Sequence, residues 1–538
     1  MAKPITSITI VGGGTAGWLT ATFLRSKCAK KISITLIESP NVPTVGVGEA
    51  TVPNMPATLR ELGIKDQEFF QRCNASIKMG VMFRNWNVDH RGDFISYMNP
   101  FITPPSIDRM EAGYFFHAYG AGKRDFIQSV SPLMELLEAG KCPLSFGGKD
   151  DPMPRVGYAY HLDAGKFAGL LAEIGVARGV THIFDDVQDV ELDERGNVAA
   201  LQLKKHGRHE VEFVIDCTGF RGLISQQALG EPFESYGDYL ANDRAMALQI
   251  PHPTPERIPA ATSSTALGAG WSWSVPLFNR IGTGYVFSSA HRSDDQARDE
   301  FLAHLGDTAP KGAEPRVIPM KVGRTRRAWV KNCLSLGLSG GFIEPLESTA
   351  IHMIDMGLRW LLLYFPTQEG DDATRDRYNK TVDAMYNEVR DFICLHYRLG
   401  NRSDDQYWID ARTQLKLPDR LAENLELWKH RLPSPLDLPT QFLFTHHTFQ
   451  AVLLGKQVYR NGYGDGAFSR PYAMSEKNWK EFLRKSAAHT RATVAYKADH
   501  RQMLLALRGE LGPGGKVTTK LGEVEPSASD AQTELALF

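Results

Sequence analysis

The sequence predicts an α/β fold, with a parallel sheet in the N-terminal part of the chain and a mostly helical C-terminal part. Residues 5–11 and 32–37 are apolar and rich in β-branched side chains, and residues 17–25 between them have helical composition. A strand, a helix and a second strand in this order form a βαβ unit, and the two strands of such a unit are parallel. The C-terminal part contains predicted helices at residues 349–365, 373–398, 422–430 and 476–507.

The composition indicates a globular protein with room for about two to four folding units. The chain has 538 residues, of which 42% are hydrophobic and 23% are charged, so a mostly disordered chain is excluded. Short β-like runs such as 190–203 and 211–216 alternate with turns in the middle of the chain. We therefore predict an α/β domain with an inserted β-rich segment over residues 1–345, a mainly helical region over 346–508 and a mobile tail over 509–538.

Charge and cysteine content exclude several classes of protein. The 61 Lys and Arg residues balance 62 Asp and Glu residues, so no surface for nucleic acid is expected, and the near-zero net charge is compatible with a homodimer. Six cysteines without a C-x-x-C pair predict reduced thiols and no metal centre. The longest apolar stretch, at 361–365, is far below the roughly 20 residues of a membrane span. Because a signal peptide is also lacking, we expect a cytoplasmic protein without membrane contact.

The turn after the first predicted strand has the G-x-G-x-x-G pattern of a dinucleotide-binding loop. Its residues are Gly12, Gly13, Gly14, Thr15, Ala16 and Gly17. Gly12 permits the tight turn, Gly14 lets the backbone approach a pyrophosphate, and Gly17 lets the helix pack closely on the sheet. Glu38 ends the second strand 21 residues after Gly17, where an acidic residue binds an adenosine ribose. The motif predicts a dinucleotide site and does not distinguish NAD from FAD.

A second apolar segment, at 215–220, ends in a turn of small residues that includes Asp216 and Gly219. Two interpretations are open. In two-domain flavoproteins the chain returns to the dinucleotide fold after a substrate-domain insertion, and such a turn closes around the cofactor. Alternatively, the segment is an ordinary strand end, because Asp, Thr and Gly are common in turns.

Three further motifs carry a resemblance to a known family. They are residues 46–51 (G-V-G-E-A-T), 271–276 (W-S-W-S-V-P) and 341–349 (G-F-I-E-P-L-E-S-T). Together they resemble the flavin-dependent halogenases, usually called tryptophan halogenases. The second motif is similar to the W-x-W-x-I-P signature of that family, with Val275 in place of isoleucine. The likeness covers nearly the whole chain.

The resemblance implies a Rossmann-type FAD-binding domain of the flavin monooxygenase kind over residues 1–345, and a substrate-binding role for the mostly helical region over residues 346–508. FAD would be used as FADH2 and supplied by a separate flavin reductase, because no NAD(P)H site is evident. In this family, reduced FAD and oxygen convert a halide ion, chloride or bromide, into hypohalous acid, which travels through an internal tunnel to an electron-rich aromatic carbon. The residues implied to bind FAD are Gly12, Gly14, Thr15, Ala16, Gly17, Glu38, Gly48, Glu49, Ala50, Asp216 and Gly219.

The resemblance also implies two catalytic residues and a halide site. Lys78 matches the lysine that handles the hypohalous acid, either as an ammonium that hydrogen-bonds it or as an amine that forms a haloamine. Glu347 matches the glutamate that orients the aromatic ring or accepts its proton. Thr349 and Ala350 match the halide-binding turn, where a helix start offers free N–H groups. Without the family, Lys78 is more simply interpreted as a solvated lysine, and Glu347 and Thr349 as helix caps.

Two strand patterns bear on these assignments. Residues 77–83 are predicted to form one strand, which places Lys78 and Gly80 on the same face. Gly80 would then leave open space beside the lysine. Trp271 and Trp273 also share one face of a strand. They are interpreted either as core aromatics or as a wall that keeps an aromatic substrate away from the flavin.

Substrate recognition departs from the tryptophan-specific pattern. Residues 435–454 contain no Tyr-Tyr pair and no glutamate that could take the place of the carboxylate that holds free tryptophan in those members. Phe101 fits an aromatic wall, but Asn99 stands where a histidine is expected, and Ala350 where glycine is expected. Phe444 is either a further aromatic contact or a helix-packing residue. We therefore predict a plainer aromatic such as indole, or a larger derivative, rather than selective binding of free tryptophan.

Three functions are compatible with these sequence features. The favoured one is an FADH2-dependent halogenase that delivers hypohalous acid through Lys78 to an indole-type aromatic. A flavin-dependent aromatic monooxygenase shares the βαβ opening but reduces its own flavin with NAD(P)H and hydroxylates the substrate. A non-catalytic dinucleotide-binding protein would show no turnover, and it leaves Lys78 and the paired tryptophans without a shared purpose.

Overall fold

The computed structural model describes residues 3–42, 48–147, 149–368, 372–464, 468 and 474–511. Its strands, in chain order, are β1 (Ser7–Val11), β2 (Ser33–Glu38), β3 (Gly48–Ala50), β4 (Ser76–Lys78), β5 (Gly80–Val88), β6 (Phe94–Pro100), β7 (Ser106–Ile107), β8 (Met110–Glu111), β9 (Ala159–Asp163), β10 (Thr181–Phe184), β11 (Val187–Leu192), β12 (Val198–Leu203), β13 (Gly207–Glu210), β14 (Phe213–Asp216), β15 (Phe233–Ser235), β16 (Arg244–Ile250), β17 (Thr262–Ala266), β18 (Gly270–Pro276), β19 (Ile281–Phe287), β20 (Arg316–Pro319), β21 (Gly323–Thr325), β22 (Trp329–Val330), β23 (Cys333–Ser335) and β24 (Gly341–Phe342). Its α-helices are α1 (Thr15–Lys27), α2 (Met55–Glu61), α3 (Asp66–Arg72), α4 (Ala112–Tyr119), α5 (Phe126–Val130), α6 (Leu133–Glu138), α7 (Ala164–Ala177), α8 (Asp294–Leu305), α9 (Ala350–Leu363), α10 (Asp372–Arg398), α11 (Gln406–Thr413), α12 (Asp419–Leu427), α13 (His446–Gly455), α14 (Glu476–Tyr496) and α15 (His500–Leu507).

β1 lies near the centre of a six-stranded sheet with the order β10-β2-β1-β14-β23-β22. Neighbouring strands are parallel except for β22 and β23. Ile10 of β1 pairs with Leu36 on one side and with Ile215 on the other, and all three side chains are buried. The predicted α/β fold with its βαβ opening is therefore confirmed. Because the strands are parallel, the turns after β1, β2 and β14 meet at one edge of the sheet.

A second, mostly antiparallel sheet has the order β20-β16-β19-β18-β17-β5-β6. β18 carries Trp271 and Trp273, and β6 carries Asn99. A smaller sheet, β3-β9-β4, ends at Lys78. The larger sheet therefore supplies the strand residues that were predicted to bind substrate, and the smaller sheet supplies the predicted catalytic Lys78.

The prediction of one strand over residues 77–83 is wrong. The chain breaks at Met79 between β4 and β5, which belong to different sheets. The Met79 N–H donates to the carbonyl of Ala260, and its carbonyl accepts from the N–H of Phe101. The expected open space at Gly80 is also absent, because a Cβ there would lie 2.5 Å from the carbonyl oxygen of Asn99 on β6.

The predicted helices at 349–365, 373–398 and 422–430 correspond to α9, α10 and α12. The single helix predicted over 476–507 is wrong, because it is divided into α14 and α15. Lys497 leaves the helical conformation (φ −68°, ψ 139°). Its buried ammonium donates to Asp151 Oδ2 at 2.9 Å and to a backbone carbonyl at 2.8 Å. A buried charge needs such partners, and reaching them interrupts the helix.

The domain division at residue 345 stays a prediction. Most of the predicted tail, residues 512–538, lies outside the described residues. Among the helices that the structure describes, none is both long and apolar enough to cross a membrane.

The substitution Gly17→Ala tests the packing of α1 on the sheet. A Cβ at Gly17 would lie 1.8 Å from the carbonyl oxygen of Gly12, so we expect the free energy of unfolding to fall by about 1–3 kcal/mol, as in overpacked cores. Chemical denaturation followed by circular dichroism would measure it. Gly169 in α7 is the matched control, because a Cβ there meets no described atom within 4 Å. Gly169→Ala should be neutral or stabilising, by about 0.5–1 kcal/mol, and equal losses in both variants would contradict the packing argument.

Candidate functional site

A cavity of about 580 Å³ opens at the edge of the parallel sheet where β1, β2 and β14 end. Pockets for cofactors and small ligands commonly have about 300–1,000 Å³, and α/β sheets bind ligands at this edge. The predicted site residues that line it are Gly12, Gly14, Thr15, Ala16, Glu38, Gly48, Glu49, Ala50, Gly219, Trp271, Trp273, Thr349 and Ala350. Gly17 and Asp216 do not line the cavity but contact residues of the turns that do, Gly12 and Thr218 respectively.

The backbone geometry of the glycine-rich loop requires glycine at some of its positions but not at all of them. Gly12 has φ +120°, and a Cβ there would lie 2.2 Å from the carbonyl oxygen of Cys217, so the chain after β14 passes too close for a side chain. At Gly14, by contrast, a Cβ would have no neighbour within 4 Å in the described part of the chain. A ligand in the cavity can therefore approach the backbone at Gly14.

Glu38 lies on the rim of the cavity at the end of β2. Its Oε2 accepts a hydrogen bond from Trp18 Nε1 at 3.2 Å and lies 3.0 Å from His182 Nε2. Its Oε1 faces the glycine loop, because a Cβ on Gly13 would lie only 2.4 Å from it. Two neighbours thus fix the carboxylate beside the loop.

Asp216 shapes the turn after β14. Its Oδ1 accepts from the N–H and hydroxyl of Thr218, at 3.0 and 2.7 Å. Its Oδ2 accepts from the N–H groups of Ile224 and Ser225 and from the Ser225 hydroxyl. Both carboxylate oxygens are thus hydrogen-bonded within the protein. The nearby Gly219, with φ +70°, lines the cavity.

β3 brings Gly48, Glu49 and Ala50 to the cavity. Burial, reinforced by the charge of Asp163, raises the pKa of Glu49 to about 7. Asp163 itself is paired with Arg280 at 2.7 Å. A neutral glutamic acid can donate a hydrogen bond, so this strand offers both backbone and side-chain partners to a ligand.

Lys78 is completely buried at the end of β4, so its interpretation as a solvated lysine is wrong. Its Nζ donates to the carbonyl of Thr51 at 3.1 Å and lies 5.2 Å from the centre of the Phe101 ring. Burial lowers the pKa of Lys78 to about 7, and the charge of Glu347 partly opposes this shift. Both the ammonium and the neutral amine are therefore populated near neutral pH.

Glu347 belongs to a buried hydrogen-bonding cluster. Its Oε1 accepts from Asn99 Nδ2 at 3.0 Å. His396 Nε2 lies 3.1 Å from the same oxygen, off the axis of a straight hydrogen bond, and its Nδ1 lies 3.0 Å from Tyr97 Oη. The His396 ring stacks on Phe83 with centres 4.6 Å apart. Burial lowers the pKa of His396, and Glu347 opposes the shift.

Neither Tyr97 nor His396 was predicted as a site residue. Tyr97 stands two residues before Asn99 on β6, so both side chains lie on the same face, and this spacing is a signal that sequence alone provides. His396 is 299 residues from Tyr97 in the chain, and nothing local in the sequence indicates their pairing.

Trp271 is fixed by a buried carboxylate that was also not predicted. Glu344 Oε2 accepts from Trp271 Nε1 at 2.7 Å, from Tyr397 Oη at 2.6 Å and from Asn242 Nδ2 at 2.9 Å. Burial raises the pKa of Glu344. The Trp271 and Trp273 rings lie 6.4 Å apart and both line the cavity. Trp271 is thus a core aromatic and part of the cavity wall at once.

The start of α9 faces the cavity without a side-chain cap. Thr349 precedes the first helical residue, Ala350, and its side chain caps none of the described backbone N–H groups. Glu347 is bound by Asn99 instead. The interpretation of Glu347 and Thr349 as capping side chains is therefore wrong. The first N–H groups of a helix have no partner within the helix, so those of α9 remain available to a ligand.

Phe444 lies in a loop that is anchored to α10. Its ring stacks on Phe392, with centres 4.0 Å apart, and Phe392 meets His396 edge-on at 5.0 Å. The carboxylate of Glu388 accepts from the three consecutive N–H groups of residues 442–444, at 2.8 to 3.0 Å. Phe444 is thus one ring removed from the cluster around Glu347.

The buried lysine predicts a pH dependence of stability. Folding lowers the pKa of Lys78 from its usual 10.5 to about 7, so between these values the unfolded chain binds more protons than the folded one. The contribution of Lys78 to the free energy of unfolding is then lowest below pH 7 and rises as the pH increases toward 10. We expect Lys78→Met to be more stable than the wild type by a few kcal/mol at about pH 6, with the difference shrinking as the pH rises. Denaturation at several pH values measures it, and a constant difference would contradict the low pKa.

Comparison with known proteins identifies relatives of this chain. Residues 7–471 match the family model described as tryptophan halogenase. KtzR, a 7-chloro-L-tryptophan 6-halogenase of Kutzneria sp. (strain 744), is 36% identical over 536 residues, covering 93% of this chain and 99% of the relative. The solved structure of SttH, a tryptophan 6-halogenase from Streptomyces toxytricini, has a TM-score of 0.84 at 34% identity and covers 93% of this chain and 99% of its own. BrvH, a flavin-dependent halogenase from Brevundimonas sp. BAL3, has a TM-score of 0.84 at 34% identity, with 94% and 99% covered.

Proposed function

Because this chain belongs to the tryptophan halogenase family, we propose that it transfers an electrophilic halogen through Lys78 to an electron-rich aromatic ring, indole or an indole derivative. The chain is a flavin-dependent halogenase. The observation that carries the proposal is the buried pair of Lys78, with a pKa near 7, and Glu347, which is held by Asn99. Such a pair suits the delivery of an electrophile by one group and the removal of a ring proton by the other.

The cavity at the edge of the parallel sheet fits FAD. The open space at Gly14 and the N–H groups at the start of α1 suit a pyrophosphate, and the fixed carboxylate of Glu38 suits a ribose. The residues that would hold FAD are Gly12, Gly14, Thr15, Ala16, Glu38, Gly48, Glu49, Ala50 and Gly219, with Gly17 and Asp216 supporting their turns. Reduced FAD, together with oxygen, would supply the oxidising power that converts halide into hypohalous acid.

The start of α9 is the proposed halide site. Thr349 and Ala350 line the same cavity, no Thr349 side-chain cap covers the start of the helix, and the positive end of a helix dipole attracts an anion. Both chloride and bromide suit such a site, so we propose that either halide is used. Parallel assays with each ion would determine the preference.

Lys78 can act by two routes that differ in their pH dependence. An ammonium can hydrogen-bond and polarise hypohalous acid, in which case kcat/KM should fall as the pH rises above about 7. A neutral amine can form a haloamine, in which case kcat/KM should increase over the same range. The direction of the pH–rate profile therefore distinguishes the two routes.

Trp271 and Trp273 form the proposed wall between the cofactor and the aromatic substrate. Trp271 cannot turn freely, because its indole N–H donates to the buried Glu344. A fixed wall would prevent direct contact of substrate and flavin while leaving room for a small oxidant to pass. This separation favours halogenation over direct hydroxylation.

The proposed substrate site lies around Phe101, Asn99 and Phe444. Phe101 lies beside Lys78 and Asn99 donates to Glu347, so an aromatic ring held there would face both catalytic groups. KtzR and SttH are named for action on 7-chloro-L-tryptophan and tryptophan. Because residues 435–454 lack a Tyr-Tyr pair and a clamping glutamate, we propose an indole-type ring without strict selection of the amino-acid group.

The class is tested by supplying the purified protein with FAD, a flavin reductase, NADH, oxygen and either bromide or chloride. Indole and tryptophan are incubated separately, and the halogen isotope pattern is read by mass spectrometry. A halogenated product supports the proposal, and a higher yield from indole supports the substrate class. A hydroxylated product would assign the chain to the aromatic monooxygenases instead, and so would consumption of NADPH without the reductase.

Gly14→Val tests the proposed cofactor site. Gly14 has extended backbone (φ −76°, ψ −172°), which valine adopts easily, and its side chain would project into open space rather than into protein. We expect unchanged stability without FAD but a loss of about 2 kcal/mol or more in FAD binding, that is, about 30-fold in Kd. Fluorescence titration with FAD and thermal denaturation measure the two quantities. Wild-type affinity in the variant would exclude the glycine loop as the pyrophosphate site.

Partners and location are proposed at a coarser level. The family uses an aromatic substrate and reduced flavin, and we propose that a separate reductase supplies the flavin to this chain. Homodimer formation and a cytoplasmic location stay predictions from the sequence.

A further inference from the structure

We propose that Glu111, His446 and His447 form a binding site for a divalent transition-metal ion such as Zn²⁺. One carboxylate oxygen and one ring nitrogen from each histidine lie within 4.8 Å of one another. The site lies outside the cavity assigned to FAD and takes no part in the proposed halogenation. It also departs from the sequence-based expectation of no metal centre, which rested on the cysteines.

The two ligand groups that face each other already have nearly the required spacing. Glu111 Oε1 lies 2.8 Å from His446 Nε2. Two atoms bound to one zinc ion at about 2.0–2.2 Å are separated by roughly 3–3.5 Å. A small outward movement of one side chain would therefore admit the ion between them.

The third ligand comes from the residue that follows His446 in the chain. His446 and His447 are consecutive residues in the first turn of α13, and their rings lie 3.8 Å apart with a tilt of 39°. Glu111 is the last residue of β8 and directly precedes α4. A bound ion would thus connect the starts of α13 and α4, which are more than 330 residues apart in the chain.

A second set of contacts orients the carboxylate. Gln450 is completely buried one turn after His446. Its Nε2 donates to Glu111 Oε2 at 2.5 Å and to the carbonyl of Pro433 at 2.8 Å. Gln450 therefore holds the oxygen that points away from His446 and keeps Oε1 directed at the histidines. Metal ligands in proteins are commonly fixed in this way by a second layer of hydrogen bonds.

The histidines also have unused nitrogens. The Nδ1 atoms of His446 and His447 are buried, and neither has a hydrogen-bond partner among the described residues. Buried polar atoms without partners are uncommon and need an explanation. Such a nitrogen can bind a metal ion through its lone pair. An ion bound at the histidine pair would therefore give one of these unsatisfied atoms a partner.

The donor set indicates which ions fit. Two imidazoles and one carboxylate suit zinc, copper, nickel or iron better than magnesium or calcium, which prefer oxygen ligands. The Glu111 side chain is 28% exposed, so the ion can reach the site from solvent and water can complete its coordination.

The test uses the full-length protein without an affinity tag. ZnCl₂ is titrated into the metal-free wild type by calorimetry, and CoCl₂ is added separately because bound Co²⁺ reports its coordination in the visible spectrum. The variants Glu111→Gln and His447→Gln each remove one ligand and keep a similar shape. His489→Gln, at an exposed histidine of α14, is the matched control.

We expect the wild type and His489→Gln to bind one Zn²⁺ per chain, and each ligand variant to bind at least about tenfold more weakly. The Co²⁺ complex should show visible bands of low coordination number that are lost in the ligand variants. A melting temperature measured without metal verifies that each variant is folded. If one ligand variant does not fold, the other variant alone tests the proposal. The proposal is overturned if the wild type binds no more zinc than the ligand variants, or if only His489→Gln loses affinity.

Discussion

Replacing Lys78 with methionine is expected to lower the rate of halogenation by at least about 10³-fold, the upper range for a group that acts directly on the reacting atoms. Methionine fills the buried volume of the lysine but has neither an N–H group nor a basic nitrogen. It therefore removes both the ammonium route and the haloamine route. The measurement is the initial rate of halogenated indole formation per folded protein, with FAD affinity determined in parallel to show that the cofactor site is intact.

Lys456 provides the matched control for this substitution. It is also completely buried, its Nζ donates to Asn87 Oδ1 at 2.6 Å, and burial lowers its pKa far below the usual value. Lys456→Met therefore removes a second buried amine and replaces it with a side chain of similar volume. We expect it to keep halogenation within about threefold of the wild type. If Lys78→Met keeps more than about a tenth of the activity, delivery of the halogen through Lys78 is wrong.

Replacing Glu347 with glutamine is expected to lower kcat by about 10²–10³-fold with little change in KM. The amide keeps an oxygen near Asn99 but cannot accept a proton from the ring. It also removes the negative charge that raises the pKa of Lys78. A shift of the pH–rate profile toward lower pH should therefore accompany the loss of rate, and a purely structural role would not produce this shift.

Glu344, three residues earlier, allows a direct comparison. It is equally buried, but its Oε2 binds Trp271, Tyr397 and Asn242 rather than the cluster around Asn99. We expect Glu344→Gln to lower activity by less than about tenfold, through a less rigid Trp271, and to leave the pH–rate profile in place. Equal losses and equal shifts in the two variants would show that Glu347 acts only by holding the structure.

The βαβ opening and the glycine loop could be predicted from the sequence because their requirements are local. A Cβ on Gly17 would clash with the carbonyl of Gly12, only five residues earlier, and Glu38 ends the strand that pairs with β1. Each requirement is met by one type of residue at a fixed distance along the chain, and this pattern can be recognised in the sequence. The roles of Lys78 and Glu347 could not be predicted from the local pattern, and their prediction rests on the resemblance to a family.

Features that depend on distant contacts were not predictable in the same way. The strand expected over 77–83 breaks because Met79 pairs with Ala260 and Phe101. The helix expected over 476–507 breaks because Lys497 reaches Asp151, 346 residues away. These distant partners cannot be recognised from the local alternation of apolar and polar residues. For the same reason the contacts of His396 in the site emerged only from the structure.

The loop at residues 442–444, which contains the proposed substrate contact Phe444, is anchored through its backbone alone. Glu388 holds this loop through three backbone N–H groups, and every residue type except proline offers such a group. The side chains of Phe442, Leu443 and Phe444 can therefore be exchanged without loss of the anchor. Libraries that vary these three positions while preserving Glu388 would therefore test whether the proposed substrate contact at Phe444 sets the substrate range.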